Sequence, residues 1–307
     1  MPLKLGVFLD LATVDNGDLR LDALDRLLPE WRFHPLTASP ETAARIADAD
    51  VVVSNKVRLG APELEAAPGL KLIAVAATGT DVIDLAAARD RGVVVCNVRD
   101  YCGASVAQHV MGLVLNLVTH QADYAARARS GEWSRSGKFS LHDRPIRELH
   151  RLSLGIIGYG ALGRTVASLA RDLGMTVLIG ERPGRKVRPD RLPFEQLVRN
   201  ADVITLHCPL TDATRNLFHR EVFRRMKPDA MLINTARGGI VNEQDLADAL
   251  RAGEIGGAGV DVFSVEPPPP DHPLLAPDVP NLVVTPHNAW GSKPARQECI
   301  DQITAVI

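Results

Sequence analysis

Three apolar runs in the second half of the sequence are each followed by a polar side chain suited to acid–base chemistry; the three are Arg237, Glu266 and His287. A guanidinium can hold a carboxylate with two hydrogen bonds and polarise the carbonyl beside it. Histidine, with an ordinary pKa of about 6.5, can donate a proton near neutral pH. A carboxylate on its other ring nitrogen fixes the tautomer and favours the imidazolium. Together these groups predict interconversion of a 2-oxo acid and a 2-hydroxy acid, provided that a hydride source is at hand.

Each of these side chains also has a plainer interpretation when it is taken alone. An isolated arginine is usually half of a surface ion pair, an isolated glutamate is a solvated charge, and a histidine near a strand end is more often structural. However, parallel strands deliver their carboxyl ends to one edge of a sheet, and ligands bind there. Three such residues after successive strands favour a catalytic site at that edge.

A glycine-rich turn is the expected binding site of the hydride source. The apolar run 152–157 leads into Gly158-Tyr159-Gly160-Ala161-Leu162-Gly163, and a helical pattern follows to Leu173. The first glycine permits the tight turn, the second lets a pyrophosphate approach the backbone, and the third lets the helix pack on the strand. The helix N-terminus adds amide donors and positive potential. Because the motif lies between a strand and a helix, it predicts a dinucleotide site.

An acidic residue follows the next strand. Glu181 lies 18 positions after Gly163 (181 − 163), near the ~20 expected for the residue that binds the adenosine ribose. A carboxylate there repels a 2′-phosphate, which favours NAD over NADP. Two alternatives stay open: Glu181 is a solvated turn residue, or the nearby cations Arg182, Arg185 and Lys186 accommodate the phosphate. His207, Cys208 and Pro209 end another strand and are expected to line the adenine side.

The order of the apolar runs predicts an α/β fold with two doubly wound parallel sheets. Strands are expected at 3–9, 51–53, 72–76 and 93–96, and in a second series at 152–157, 176–179, 203–206, 230–234, 258–262 and 282–285. Helices are expected at 18–28 and at 84–91, the latter closed by Gly92. We therefore expect a discontinuous, flavodoxin-like substrate domain (1–99 plus 288–307) and a Rossmann NAD-binding domain (100–287), with a cleft between them.

Three further segments complete this organisation. Residues 101–128 are predicted to form one long helix that is rich in alanine, valine and leucine. Residues 130–151 are polar and irregular, and are expected to form a linker or an extended arm. Residues 294–307 look helical and are expected to return to the first domain.

The bulk composition excludes several classes of protein. A net charge of -2 in 307 residues offers no basic field for nucleic acid and no polybasic membrane anchor. The apolar stretches are too short to span a bilayer, and the N-terminus lacks the pattern of a signal peptide. The four cysteines fit neither a disulfide framework nor a zinc site. A cytoplasmic protein without a metal is the expectation.

Long stretches of the sequence resemble the D-isomer-specific 2-hydroxyacid dehydrogenase family; they are AATGTDVIDLAAARDRGVVVCN, SVAQH, GIIGYGALGRTVA, HCPLTDATRNLF, INTARGGIV, GVDVFSVEP and TPHNAW. The resemblance implies the catalytic roles given above for the arginine, glutamate and histidine. It further implies that the backbone amides of Thr78 and Gly79 bind the substrate carboxylate and that Asp261 holds the nicotinamide carboxamide. It places Val106 beside the nicotinamide ring and Thr214 near the phosphates, and it assigns Thr235, Ala236 and Ala289 to the cofactor site.

Within the family, the sequence looks most like the glycerate dehydrogenase/hydroxypyruvate reductase branch, on the strength of Asn55-Lys56, residues 180–184 and Trp290. This likeness implies hydroxypyruvate or glyoxylate as the oxidised substrate and D-glycerate or glycolate as the reduced one. Lys56 either adds a second positive group for the substrate carboxylate or is a surface lysine. No regulatory domain is expected after the last helix, unlike the long phosphoglycerate dehydrogenases, and the chain end comes early for the family.

Two alternative functions are compatible with the sequence, and a homodimer is the expected assembly. An NAD-sensing binding module, like the transcriptional corepressors that share this fold, is one alternative. A dehydrogenase of another small anion, such as phosphite, is the other. The likeness also implies a homodimer, with the segments 101–128 and 133–145 as the expected contacts.

Overall fold

The structure is a computed structural model that describes residues 2–307. These residues form eleven strands, and every strand pairing between them is parallel. The strands are β1 Leu5–Phe8, β2 Glu30–Phe33, β3 Val51–Ser54, β4 Leu72–Val75, β5 Val94–Asn97, β6 Ser153–Ile157, β7 Thr176–Gly180, β8 Val203–Leu206, β9 Met231–Asn234, β10 Gly257–Val260 and β11 Leu282–Val284.

The same residues form twelve α-helices. They are α1 Asp22–Asp25, α2 Thr42–Ile46, α3 Ala61–Glu65, α4 Leu85–Asp90, α5 Gly103–Thr119, α6 Gln121–Arg129, α7 Glu132–Ser136, α8 Ala161–Asp172, α9 Phe194–Asn200, α10 Arg220–Phe223, α11 Glu243–Arg251 and α12 Lys293–Val306. None of them is both long enough and apolar enough to cross a membrane.

The chain divides into two compact units. Unit 1 comprises the described residues up to Cys102 together with Trp290–Ile307, and unit 2 comprises Gly103–Ala289. The divisions thus fall after residues 102 and 289, where the sequence led us to expect 99 and 287. Helix α5 begins at Gly103, and the backbone N–H of Ala289 is bonded to Asp261 in unit 2, which accounts for the shift.

Unit 1 is built on a five-stranded sheet with the order β2-β1-β3-β4-β5, which is the flavodoxin-like order. Alternate residues of the central strands face opposite sides. Val7, Val52 and Ile73 lie in one buried cluster, and Phe8 and Val53 lie in another with residues of α12. The last helix therefore belongs to unit 1, as the sequence predicted.

Unit 2 is built on a six-stranded sheet with the order β11-β10-β9-β8-β6-β7. Leu192 forms an isolated parallel bridge with Gly180 beside β7, at the position where the usual Rossmann sheet has its third strand. The expected pair of doubly wound parallel sheets is confirmed. All six strands predicted for this unit are present, with ends that differ by at most two residues.

Three details of the sequence prediction were wrong. The edge strand β2 was missed because it carries Glu30 and Arg32 and reads as polar, although it pairs with β1. The helix expected at 18–28 is confined to α1, since the Asp15 carboxylate accepts backbone hydrogen bonds from residues 17, 18 and 19 and holds a turn there. The single long helix at 101–128 is two helices.

The break between α5 and α6 falls at His120, whose backbone is left-handed with φ 50. The Asn116 side chain accepts a hydrogen bond from the backbone N–H of Ala122 and so begins the second helix. The following arm contains the short helix α7, which the sequence did not predict. It is bounded by Gly131 and Gly137, both with positive φ. None of its residues is buried, as expected for an arm.

Candidate active site

The carboxyl ends of the six strands of unit 2 lie along one edge of the sheet. The loops that follow them carry almost all the residues that the sequence analysis assigned to this unit. In order from β11 to β7 the loops present His287, Glu266, Arg237, His207, the glycine turn 158–163 and Glu181. The geometry therefore brings the three candidate catalytic residues onto adjacent strand ends.

Glu266 and His287 form a direct pair. Nδ1 of the histidine lies 2.6 Å from Oε2 of the glutamate, and both side chains are partly exposed. The other carboxylate oxygen, Oε1, accepts a hydrogen bond of 2.9 Å from the backbone N–H of Phe263. With both oxygens engaged, the carboxylate fixes the ring orientation and leaves Nε2 as the nitrogen that can exchange a proton with a ligand.

The backbone at His287 has φ 51, a conformation that a non-glycine residue adopts only when its surroundings hold it there. Asp261 supplies that support. Its carbonyl accepts from the His287 N–H at 2.8 Å, and its fully buried carboxylate accepts from the backbone N–H groups of Asn288 and Ala289 and from the Thr285 hydroxyl. The structure thus gives Asp261 the task of holding the histidine turn. Its implied contact with the nicotinamide carboxamide stays a prediction.

Arg237 lies in a turn after β9 that Asn234 organises. The Asn234 amide donates to the carbonyl of Arg237 at 2.9 Å, and its oxygen accepts from the N–H of Ala236 at 3.1 Å. The guanidinium is partly buried, and its Nη1 donates to the Ala236 carbonyl. Thr235 in the same turn has a buried hydroxyl with no partner among the described residues, and its place in the cofactor site stays a prediction.

The turn of Arg237 also touches the loop of Glu266. A Cβ added at Gly238 would lie 1.9 Å from the carbonyl carbon of Phe263 and 2.1 Å from the nitrogen of Ser264. Only glycine permits this approach. The arginine and the glutamate–histidine pair are therefore presented by backbone segments in van der Waals contact.

The glycine turn fits a dinucleotide. Gly158 has φ 96, and a Cβ there would lie 2.5 Å from the backbone of Cys208; a Cβ at Gly163 would lie 2.2 Å from the carbonyl oxygen of Gly158. At Gly160 a Cβ would meet no protein atom within 4 Å. This residue caps α8 and has no side chain to bond the first N–H groups of the helix, as suits a helix N-terminus that binds a pyrophosphate. Tyr159 packs under the guanidinium of Arg191, 5.9 Å from its ring centroid.

Glu181 is buried and already engaged. Arg188 donates to both carboxylate oxygens, at 2.7 and 3.0 Å, and Arg191 lies 3.5 Å away. These hydrogen bonds and charges hold the pKa of Glu181 below its ordinary value. The carboxylate is thus an ion-pair partner rather than a solvated turn residue. Arg182 is partly exposed beside it.

The loop after β8 contacts the glycine turn through the backbone of Cys208. Burial lowers the pKa of His207 to about 4, so its imidazole is neutral near pH 7, and Nε2 lies 3.0 Å from the Thr205 hydroxyl. Pro209 is exposed, and its carbonyl accepts from the buried hydroxyl of Thr214 at 2.7 Å. That hydroxyl also accepts from the N–H of Thr211, so Thr214 secures its own turn. Its place near the phosphates stays a prediction.

Val106 is the remaining residue assigned to the cofactor. It lies in α5, which packs closely on α8, and it is 4% exposed. Its expected contact with the nicotinamide ring stays a prediction.

The residues assigned to the substrate lie in unit 1, at the carboxyl ends of two neighbouring strands. Asn55 and Lys56 follow β3, and Thr78 and Gly79 follow β4. The carbonyl of Thr78 accepts from the Asn97 side chain at 2.7 Å.

Asp10, which the sequence analysis missed, holds the turn after β3. Its carboxylate accepts from the backbone N–H groups of Asn55, Lys56 and Val57 at 2.9, 2.6 and 3.3 Å. Burial raises the pKa of Asp10 despite these three donors. The signal was available, because Asp10 follows the apolar run of β1 as the catalytic candidates follow theirs.

Among residues 2–307, no group of three histidine, cysteine, aspartate or glutamate side chains is arranged to hold a metal ion. All four cysteines are unpaired.

A parallel α/β sheet with this glycine turn, and with an arginine and a glutamate–histidine pair on adjacent strand ends, defines a dinucleotide-dependent oxidoreductase. Residues 111–289 match the family described as D-isomer specific 2-hydroxyacid dehydrogenase, NAD binding domain. The chain belongs to this family.

Curated relatives and solved structures agree with this assignment. The chain is 46% identical to a glycerate dehydrogenase of Methylorubrum extorquens over 89% of this chain and 87% of that protein. It is 35% identical to a hydroxypyruvate reductase of Blautia hydrogenotrophica over 96% and 93% of the two chains. It also resembles the crystal structure of an NADPH-dependent glyoxylate/hydroxypyruvate reductase of Sinorhizobium meliloti, with a TM-score of 0.81, 26% identity and coverage of 98% and 92%.

Proposed function

We propose that this protein reduces hydroxypyruvate or glyoxylate to D-glycerate or glycolate, or catalyses the reverse oxidation. The observation that carries the proposal is the Glu266–His287 pair on the strand end next to that of Arg237. The names of the relatives at 46% and 35% identity support the choice of substrate.

The residues of unit 2 divide the chemistry between them. Arg237 binds the substrate carboxylate and polarises the adjacent carbonyl. His287, as an imidazolium, donates the Nε2 proton to the carbonyl oxygen, while its Nδ1–H stays bonded to Glu266. In the reverse direction the neutral Nε2 accepts the hydroxyl proton. When bound, the nicotinamide supplies the hydride to the substrate carbon or accepts it.

The residues of unit 1 are assigned to substrate binding. The backbone amides of Thr78 and Gly79 receive the carboxylate, and Asn55 and Lys56 add polar contacts. The bonds from Asp10 to the backbone of residues 55–57 support this assignment, because they help to fix the turn at the end of β3 that carries Asn55 and Lys56.

NAD is the proposed cofactor, since the buried carboxylate of Glu181 follows β7 where the ribose-binding acid is expected. Arg188 and Arg191 beside it weaken the preference for NAD over NADP, because two cations can also bind a 2′-phosphate. The unpaired cysteines are compatible with a reducing compartment, and we place the enzyme in the cytoplasm.

Steady-state assays of hydroxypyruvate, glyoxylate and other 2-oxo acids, each with NADH and NADPH, test the proposal. Turnover of hydroxypyruvate or glyoxylate with NADH is expected. Tight NADH binding without turnover of any 2-oxo acid would favour the NAD-sensing binding module. NAD-dependent oxidation of phosphite, with no activity on 2-oxo acids, would favour the dehydrogenase of another small anion.

We further propose a homodimer that forms through the arm after α6. A cavity of about 700 Å³ lies there, lined mainly by apolar side chains of α5, α6 and the arm. Phe139 on the same arm is 95% exposed, and Trp133 is 47% exposed. A second copy can bury such a residue in the cavity of the first, as a two-fold interface requires.

Sedimentation velocity distinguishes the two states of assembly. The wild type is expected as a dimer and Phe139→Ser as a weakened dimer or monomer. The matched control is Leu36→Ser, which removes a side chain of unit 1 that is 65% exposed, and it should leave the dimer intact. A monomeric wild type at micromolar concentration would overturn this proposal.

A further inference from the structure

A mostly buried glutamate with no direct part in the proposed chemistry anchors the loop that carries Glu266. Glu243 is the first residue of α11, and its side chain is 12% exposed. Its carboxylate accepts from both the backbone N–H and the hydroxyl of Ser264, each at 2.6 Å, and from Nε2 of His272 at 3.0 Å. Three donors on one carboxylate fix the position of residue 264, two positions before the catalytic candidate.

His272 is itself fixed at both ring nitrogens. The backbone N–H of Leu274 donates to Nδ1 at 3.2 Å, so Nδ1 is the acceptor and Nε2 carries the hydrogen that is donated to Glu243. The imidazole also packs edge-on against the ring of Phe263, with centroids 5.0 Å apart. Glu243 and His272 therefore hold both residues at the start of the loop.

The held segment leads directly to the catalytic pair. The backbone N–H of Phe263 donates to Oε1 of Glu266, and Oε2 of that residue faces Nδ1 of His287. On its other side the segment contacts Gly238, the neighbour of Arg237. A shift of residues 263–264 would thus move the carboxylate and disturb the arginine turn.

We propose that Glu243, with His272 as its partner, is a positioning residue for the Glu266–His287 pair. The expected effect on turnover rests on the proposed function, whereas the expected effect on the placement of the pair does not. A glutamine at position 243 would keep the size of the side chain but could accept with one oxygen only. Its NH₂ group would face a donor, either the Ser264 N–H or the His272 Nε2–H, and one of these two hydrogen bonds would be lost.

The test compares Glu243→Gln with Glu254→Gln. Glu254 lies beyond the far end of the same helix, pairs with Arg224 and has a side chain that is 26% exposed, so it is the matched control. We expect Glu243→Gln to lower kcat by roughly 10- to 100-fold, as small misplacements of catalytic groups do. The dissociation constant for NADH and the KM for NADH should stay within about twofold, and the control should match the wild type.

A double-mutant cycle separates positioning from general damage. If Glu243 acts through Glu266, then Glu243→Gln should lower kcat by less than about twofold in a Glu266→Ala background. Equal losses in both backgrounds would overturn the proposal. If Glu243→Gln does not fold, His272→Asn takes its place, because asparagine can still accept from the Leu274 N–H but cannot reach Glu243.

A spectroscopic readout keeps this inference separate from the proposed function. The short bond between His287 and Glu266 should give a low-field ¹H resonance for the Nδ1 proton, assigned by its absence in Glu266→Ala. We expect Glu243→Gln to shift or broaden this resonance and Glu254→Gln to leave it unchanged. An unchanged resonance in Glu243→Gln would overturn the inference, whereas a wild type that shows the resonance but turns over no 2-oxo acid would overturn only the function.

Discussion

Nδ1 of His287 lies 2.6 Å from Oε2 of Glu266, and the two residues come from loops after the adjacent strands β11 and β10. The carboxylate is held on its other oxygen by Phe263, and the histidine backbone is held in its left-handed conformation by Asp261. Neither partner therefore depends on the ligand for its placement. Because the pair is already held in place, substrate binding requires little reorganisation of the site.

The glycine turn allows cofactor binding to be separated from folding. At Gly160, with φ -83, an alanine side chain would meet no protein atom within 4 Å, whereas at Gly163 it would lie 2.2 Å from the Gly158 carbonyl. Gly160→Ala should therefore keep its thermal stability and lose affinity for NADH by about tenfold or more, since the methyl group occupies the space expected for the pyrophosphate. Gly163→Ala should lose about 1–3 kcal/mol of stability. Fluorescence titration measures the affinity for NADH, and thermal melts measure the stability of each variant. A Gly160→Ala variant that binds NADH as tightly as the wild type would contradict cofactor binding at this turn.

The Glu181–Arg188 pair should set the preference between the two dinucleotides. Arg188→Ala frees the carboxylate for the ribose hydroxyls and removes a cation, so the ratio of kcat/KM for NADH over that for NADPH should rise by about tenfold. Glu181→Ala leaves both arginines without their anion, and the ratio should fall. Arg224→Ala, at a remote ion pair, is the control. Two changes in the same direction would contradict this account of the site.

Acid should destabilise unit 1 through Asp50. Hydrogen bonds from Lys71 and from the backbone of residues 4 and 5 lower the pKa of Asp50 from its ordinary 3.8 to about 2. A lowered carboxyl pKa adds stability above the ordinary value, and this stability is lost as the pH falls from about 4 to about 2. Because Asp50 is partly exposed, Asp50→Asn should cost only about 1 kcal/mol at pH 7 and flatten the loss below pH 4.

Urea unfolding at pH 7, 4 and 2.5 measures this effect, with Asp90→Asn, a change at an exposed position in α4, as the control. An Asp50→Asn variant with the same acid dependence as the wild type would show that another group governs it.

The fold could be predicted because buried parallel strands read as apolar runs, and the candidate catalytic residues could be proposed because they follow those runs directly. Arg237, Glu266, His287 and the glycine turn were all found in this way. The edge strand β2 was missed because an exposed edge needs no apolar run; its residue Arg32 pairs with Asp48 instead.

The supporting residues left weaker signals in the sequence. Glu243 looks like an ordinary acidic residue in the first turn of a helix, where its negative charge stabilises the helix by interacting with the positive end of the helix dipole. His272 and Arg188 lie in loops without periodicity, and their partners are 29 and 7 residues away. Such residues come together only in the folded chain, so their roles could be inferred only from the structure and not from the sequence.

The central claim is that His287 exchanges the proton of the reaction, and the most direct measurement compares His287→Ala with the wild type in hydroxypyruvate reduction and in NADH titration. We predict a loss in kcat of about 10²- to 10⁴-fold with the NADH dissociation constant changed by less than about twofold. A variant that retains wild-type kcat, or that loses turnover and NADH binding in equal measure, would contradict the account.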